Sequence, residues 1–108
     1  MRKTTVPNYS LFLLEEAQSD ILDTTHYYNS LVSGLGYTFL NDVKKIVNKI
    51  ELNPFSFGFR YTNFRTANLS IFPYQIHFII NEELKKVIIF AVLHGYRNPT
   101  YIKKRGSH

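Results

Sequence analysis

Residues 71–93, IFPYQIHFIINEELKKVIIFAVL, contain two apolar runs separated by a short polar segment. The strand period of two places Tyr74, Ile76 and Phe78 on one face of the first run. The second run, 87–93, is apolar throughout and rich in β-branched residues, which is typical of a strand covered on both faces. The polar segment between the runs predicts a turn, so the stretch predicts two antiparallel strands at the centre of a sheet.

Upstream of these strands the apolar residues recur at the spacing of a helix. Residues 15–32 carry one apolar stripe, and residues 39–50 carry a second and cleaner one. The polar side of the second stripe, which includes Asp42, is expected to face solvent. Gly34 and Gly36 predict a break between the two helices, because glycine commonly follows the end of a helix. The sequence thus predicts an antiparallel helix hairpin.

Three further segments complete the expected fold. Residues 9–14 form a short apolar run that precedes the first helix, and residues 64–69 predict a short strand. Pro54 ends the second helix, and aromatic residues then alternate with small or polar ones, which indicates a loop or an irregular strand. The order strand, helix, helix and then three or four strands predicts an α+β fold, with the helix hairpin packed on a small antiparallel sheet.

Composition narrows the class of protein. The 108 residues are 44% hydrophobic and 19% charged, so we expect one domain over 1–108, in which 105–108 resemble the remnant of an expression tag. Cysteine is absent, which excludes a disulfide framework, a thiolate zinc site and a cysteine nucleophile. The sequence has no signal-peptide pattern and no run of about 20 apolar residues, so we expect a cytoplasmic protein without membrane contact.

The charge is distributed unevenly along the chain. Thirteen basic and eight acidic residues give a net charge of +5, yet no acidic residue follows Glu83, whereas six lysines and arginines do. This basic C-terminal third is expected to contact an anionic partner, or to be an ordinary solvated surface.

The residue types of the common catalytic and metal sites are absent or scattered. His26, His77 and His94 lack the spacing and the neighbouring carboxylates of a metal site, so no metal is expected. No serine lies in a nucleophile-elbow context and no glycine-rich phosphate loop is present, so no cofactor is expected. The acidic residues of the first helix, among them Asp20 and Asp23, are expected to form a solvated face.

The candidate site lies instead among basic and aromatic residues of the sheet half. Arg65 lies on a predicted strand, and His94 and Arg97 follow the last one, where scaffolds often present functional groups. If the strands pair as expected, these residues and Tyr101 share one face or rim and are able to hold phosphates and stack on a base. The alternative is that the arginines are ordinary surface cations and that His94 has a structural role.

The same segments resemble those of a known family. Arg65, the segment 72–78 (FPYQIHF) and the segment 88–99 (IIFAVLHGYRNP) are similar, in order and spacing, to the RelE/ParE superfamily of type II toxin–antitoxin toxins. The family pattern has an arginine before F-P-Y-x-I-x-Y and an apolar strand that ends in H-x-x-R-x-P, and Phe78 here replaces the last tyrosine. The upstream helices fit as well, so the resemblance covers residues from about 9 to 101.

The resemblance implies an α+β toxin of a bacterial cytoplasm that inhibits growth and is neutralised by a cognate antitoxin, through which alone it contacts operator DNA. Family members divide into two mechanisms. RelE-like toxins enter the ribosomal A site and cleave mRNA, whereas ParE-like toxins, the plasmid stabilisation proteins, poison DNA gyrase without a nuclease site of their own. The resemblance therefore implies either gyrase or the ribosome with its mRNA as the target.

The residues favour the ParE-like mechanism, in which the toxin is not an enzyme. A RelE-like nuclease is expected to carry lysines before the strand of Arg65, whereas residues 54–64 contain one arginine, several aromatic residues and no lysine. The predicted contacts to the target or the antitoxin are Arg60, Arg65, Arg97, Tyr101, Lys103 and Lys104. Two alternatives stay open: an mRNA endoribonuclease whose catalytic candidates are Arg65, His94, Arg97 and Tyr101, and a plain nucleic-acid-binding module.

Overall fold

The structure, a computed structural model, describes residues 9–61 and 63–95, apart from the side chain of Tyr61. The elements are β1 (Ser10–Leu13), α1 (Glu15–Leu31), α2 (Leu35–Leu52), a 3₁₀ turn (Pro54–Ser56), β2 (Phe59–Tyr61), β3 (Phe64–Asn68), β4 (Tyr74–Asn81) and β5 (Lys86–His94). The five strands form one sheet in the order β1-β5-β4-β3-β2. Within the described part of the chain, neither helix has the length and apolar character needed to cross a bilayer.

The α+β fold class is confirmed, because both helices pack on one face of this sheet. Pairing from β2 to β5 is antiparallel, as expected. The N-terminal strand was expected too, but the expectation of a wholly antiparallel sheet was wrong, because β1 pairs in parallel with β5 and makes the sheet mixed.

The helix hairpin is also confirmed, but α2 begins at Leu35, before its apolar stripe starts. Gly34 precedes it with a φ of 88°, a left-handed conformation that glycine adopts without strain. Gly36, expected to belong to the break, lies instead in the first turn of α2. A Cβ there would lie 2.3 Å from the carbonyl oxygen of Thr25, and the Gly36 N–H donates to Asn29 Oδ1 at 2.7 Å. Gly36 therefore permits close contact between the helices.

The main core lies between the helices and the sheet. The alternation predicted for β4 is confirmed, because Ile76 and Phe78 face the helices and are fully buried. Burying side chains of this size stabilises the fold by about 1.5–3 kcal/mol each. The other buried residues of this core are Ala17, Phe39, Val43, Ile46, Ile50, Ala67, Leu69, Phe72, Val87, Ile89 and Val92.

Strand β5, which lies between β1 and β4, is buried on both faces, as predicted. Opposite His77 and Phe78 of β4 the register skips Phe90, so β5 contains a bulge with one extra residue. Phe90 and Ala91 consequently join Phe64 in a second buried cluster, separate from the helix-side core. The periodicity of the sequence did not predict this bulge.

Two acidic residues that were expected on solvated faces bind backbone amides instead. Asp42 of α2 is only 3% exposed, and its carboxylate accepts hydrogen bonds from the N–H groups of residues 70–72 at 3.0, 2.8 and 3.1 Å. Residues 71 and 72 of this loop were expected to belong to the following strand, which begins instead at Tyr74. Asp20 Oδ2 accepts a hydrogen bond from the Val92 N–H at 2.9 Å, in the part of β5 that extends beyond β1.

Candidate functional site

Three of the predicted site residues lie in the described part of the chain. Arg60 is exposed on β2, Arg65 is half-buried on β3, and His94 is the last residue of β5. The remaining predicted residues, Arg97, Tyr101, Lys103 and Lys104, lie outside the described residues.

Arg65 is held in place by the segment that follows α2. Its Nη1 donates to the carbonyl oxygen of Phe57 at 2.6 Å and to that of Phe55 at 3.4 Å. Its Cζ lies 4.0 Å from the ring centroid of Phe59 and 5.6 Å from that of Phe55. These partners are neutral, and among the described residues the hydrogen bonds of Arg65 use Nη1 only. The guanidinium therefore keeps Nε and Nη2 donors for an external anion.

The aromatic segment itself divides into buried and exposed rings. Phe57 points inward, where its ring centroid lies 5.9 Å from that of Phe78. The pairing of β2 with β3 shifts register between Phe59 and Tyr61, which confirms the irregular strand expected after the helices. Phe55 and Phe59 stay 39% and 60% exposed. The segment therefore presents two aromatic rings to solvent beside a fixed arginine.

His94 lies at another place on the sheet, beside Tyr74 of β4, with 5.4 Å between the ring centroids. It lines a small pocket of about 160 Å³, to which α1 contributes Asp20, Asp23 and Thr24. Within residues 9–61 and 63–95, no three His, Asp or Glu side chains are grouped so that they could hold a metal ion. The pocket is thus a polar niche between α1 and the end of β5.

Tyr28 of α1 packs beside this niche, against Phe72 and Tyr74, with ring centroids 4.7 and 6.2 Å apart. Burial raises the pKa of the Tyr28 phenol above 10.0, and repulsion from Tyr74 together with a hydrogen bond to it raises the pKa further. The phenol is therefore neutral at physiological pH and serves packing and hydrogen bonding.

Arg65 and His94 share the helix-facing side of the sheet but do not come together. Arg65 pairs with Phe78, whereas His94 pairs with Tyr74, so they differ by four residues along β4 and by two strands across the sheet. At ~3.3 Å per residue and ~4.8 Å per strand, their Cα atoms lie roughly 16 Å apart. Arg65 bonds to the segment after α2, whereas His94 lines the niche beside α1, so the two candidates do not form one cluster.

A larger apolar groove of about 610 Å³ opens between α1, α2 and β1. Its walls include Leu11 from β1, Leu22 from α1 and Val43 from α2, and Lys44 lies among the lining residues. Leu22 is 58% exposed. The sequence interpretation missed this groove, because Leu11 and Leu22 lie outside the stripes that define the core, and only the parallel position of β1 brings them together.

No family model and no curated protein matches the sequence. Several solved structures do match. A chain of the chromosomal ParDE toxin–antitoxin system from P. aeruginosa is 17% identical, with a TM-score of 0.71 over 80% of this chain and 95% of that chain. The isolated RelE toxin from E. coli is 17% identical, with a TM-score of 0.54 over 89% and 94% of the two chains. A chain of the RelBE2 toxin–antitoxin complex from Mycobacterium tuberculosis is 16% identical, with a TM-score of 0.52 over 80% and 96%.

These structures match most of the chain at low identity, so what they have in common with it is the arrangement of its elements. The helix hairpin on a five-stranded mixed sheet, with β1 parallel to β5, is the fold of the RelE/ParE toxins.

Proposed function

We propose that the protein is the toxin of a type II toxin–antitoxin module, that it inhibits DNA gyrase as ParE-like toxins do, and that a cognate antitoxin neutralises it. The observation that carries the proposal is the segment between α2 and β3. Its Phe55 and Phe59 rings contact the Arg65 guanidinium, in the segment where a RelE-like nuclease is expected to carry lysines.

Arg65 and His94, two of the candidate catalytic residues, have different surroundings. Arg65 bonds to the segment after α2, whereas His94 lines the niche beside α1, and their Cα atoms lie roughly 16 Å apart by the spacing of the strands. In the ParE-like mechanism these two residues need not lie together, and Arg60, Arg65, Arg97 and Tyr101 act as contacts to the target.

The groove between α1, α2 and β1 is the proposed binding site for the antitoxin. Its apolar walls fit the apolar face of a partner helix or extended segment, and Lys44 offers an ion pair to an acidic residue of that segment. Lys103 and Lys104 of the basic C-terminal third are proposed to add attraction for the same acidic partner.

A supercoiling assay with purified protein and DNA gyrase tests the proposed function. The gyrase is taken from a host whose growth the protein arrests, so that the target and the toxin are matched. We expect loss of supercoiling with accumulation of cleaved DNA, and reversal by the antitoxin. An unaffected gyrase would refute the ParE-like mechanism and favour ribosome-dependent mRNA cleavage.

The Nε and Nη2 donors of Arg65 favour a second candidate function, an mRNA endoribonuclease in which Arg65 binds the phosphate. Arg97 and Tyr101 would complete that site. Cleavage of mRNA on isolated ribosomes, lost in Tyr101→Phe, is the result that this candidate predicts.

A further inference from the structure

Five residues from separate parts of the chain form a continuous series of contacts between cations and aromatic rings. Arg65 lies over the rings of Phe59 and Phe55, at 4.0 and 5.6 Å. The Phe55 ring meets that of Tyr9 edge to face, with 5.8 Å between centroids, and Lys85 Nζ lies 5.4 Å from the centroid of Tyr9. We call these residues, Phe59, Arg65, Phe55, Tyr9 and Lys85, the cation–ring strip.

The strip crosses one end of the sheet. Phe59 lies on the edge strand β2, whereas Tyr9 directly precedes β1 at the opposite edge. Phe55 bridges the two edges from the 3₁₀ turn after α2. Lys85 directly precedes β5 and has a φ of 56°, an uncommon conformation for a residue other than glycine. The hydrogen bond from the Ser10 N–H to the Lys85 carbonyl, at 2.9 Å, joins Lys85 to the start of β1.

The strip presents apolar area and uncompensated positive charge together. Phe55 and Phe59 are exposed, and the hydrogen bonds that Arg65 makes among the described residues go to neutral carbonyl groups. Aromatic residues and arginine are the types enriched in the energetically dominant parts of protein interfaces. Arg65 is also fixed before any partner arrives, which lowers the entropy cost of binding.

We propose that the cation–ring strip is the surface that contacts the target protein, and that it binds a patch in which carboxylates flank aliphatic or aromatic side chains. This inference rests on the proposed function, since it takes gyrase as the target. The strip shares no residue with the groove assigned to the antitoxin, so the two partners meet different residues of the toxin.

The surroundings of the strip favour a protein over a single-stranded nucleic acid. Nucleic acid bases stack on the free faces of aromatic rings. The Arg65 guanidinium lies over the Phe59 ring, and the Tyr9 and Phe55 rings meet at 90°. Leu84, next to Lys85 in the chain, is 60% exposed and adds aliphatic area that a protein partner can bury.

Two substitutions test the strip without disturbing the core. Phe59→Ser removes a ring that is 60% exposed. Lys85→Asn removes a charge, and asparagine tolerates the positive φ of this position. Tyr37→Ser is the matched control for the ring, because Tyr37 is 67% exposed on α2, and Lys49→Asn is the control for the charge. Thermal unfolding verifies that all four variants fold.

The measurement is the affinity of each variant for purified gyrase in the absence of DNA, together with the concentration that inhibits supercoiling by half. We expect Phe59→Ser and Lys85→Asn each to lower the affinity for gyrase by about tenfold and to raise the half-inhibitory concentration by the same factor, as loss of a dominant interface residue does. The two control variants should match wild type. Equal potency of the strip variants and wild type would overturn the inference and leave the proposed function standing.

Failure of the proposed function gives a different result, because wild-type protein then neither binds nor inhibits gyrase. A nucleic-acid surface is distinguished with fluorescently labelled oligo(dT) and oligo(U). If the strip variants lose binding to these oligonucleotides and keep their affinity for gyrase, the strip binds nucleic acid and the protein-contact inference is wrong.

Discussion

Asp42→Ala is expected to be the most destabilising single substitution among the polar residues of α2. The carboxylate is buried and accepts three hydrogen bonds from the consecutive amides of residues 70–72. These amides lie in the loop between β3 and β4, so Asp42 joins α2 to that hairpin. Alanine removes every acceptor at once, and no strand in the described part of the chain pairs with these three residues.

The size of the effect follows from where each amide lies. Ser70 and Ile71 are exposed residues, so water can replace the carboxylate at their N–H groups at little cost. Phe72 is buried, and its N–H would lose a charge-assisted hydrogen bond. A hydrogen bond to a charged group contributes about 1.5–3 kcal/mol, and a buried donor left without a partner costs about 1–3 kcal/mol. We therefore expect Asp42→Ala to lower the free energy of unfolding by about 2–3 kcal/mol.

Urea denaturation followed by circular dichroism measures this change. Asp42→Asn is the informative companion, because its side-chain oxygen can still accept from Ile71 and Phe72 while its amide group faces the exposed Ser70. We expect Asp42→Asn to lower the free energy of unfolding by about half as much as Asp42→Ala, because it loses fewer hydrogen bonds and those that remain are no longer made to a charged group. Asn41→Ala, at an exposed neighbouring position, is the control. A loss below about 1 kcal/mol for Asp42→Ala would refute the reasoning, since one net hydrogen bond would account for it.

Three further predictions concern packing, pH and the antitoxin. Gly36→Ala should destabilise the fold by about 2 kcal/mol or more in the same urea assay, because its Cβ would overlap the Thr25 carbonyl, whereas Gly58→Ala, with nothing within 4 Å, should have little effect. The raised pKa of Tyr28 means that the unfolded chain deprotonates first, so stability is retained below pH 10 and falls above it; Tyr28→Phe should show a shallower fall between pH 10 and the folded pKa. Charge reversal at Lys103 and Lys104 should weaken antitoxin binding at low salt, measured by titration calorimetry, and an unchanged affinity would count against an electrostatic contact there.

The local features of this fold were predictable from the sequence because they depend on neighbours in the chain. The alternation in β4 and the continuous apolar run of β5 predicted their positions and burial, and Gly34 lies at the expected break. The parallel pairing of β1 with β5 depends on residues more than 70 positions apart, and no local pattern encodes it. The same holds for Asp42, whose partners lie 28 to 30 positions away, so its place among lysines on α2 indicated a solvated face.

The candidate site was predictable only in part, for a related reason. The sequence pattern singled out Arg65 as a basic residue on a strand, but not its bonds to the carbonyl groups of Phe55 and Phe57. Those bonds require the turn after α2 to fold back over β3. The sequence shows that the aromatic segment lacks lysine, but the contact of Phe55 with Tyr9 at the other edge of the sheet is evident only in the three-dimensional structure.

The contacts of Arg65 also determine which substitutions can identify the function. Arg65→Ala removes a charge that is able to bind a target, and it equally removes the hydrogen bonds that hold the aromatic segment. Loss of growth inhibition in that variant would therefore fit a gyrase contact, a phosphate contact or a purely structural role. Phe59 and Lys85 are exposed, and their side chains make no comparable bonds to residues 9–61 and 63–95. Substitutions at these two positions consequently separate target binding from folding, which a substitution at the arginine between them cannot do.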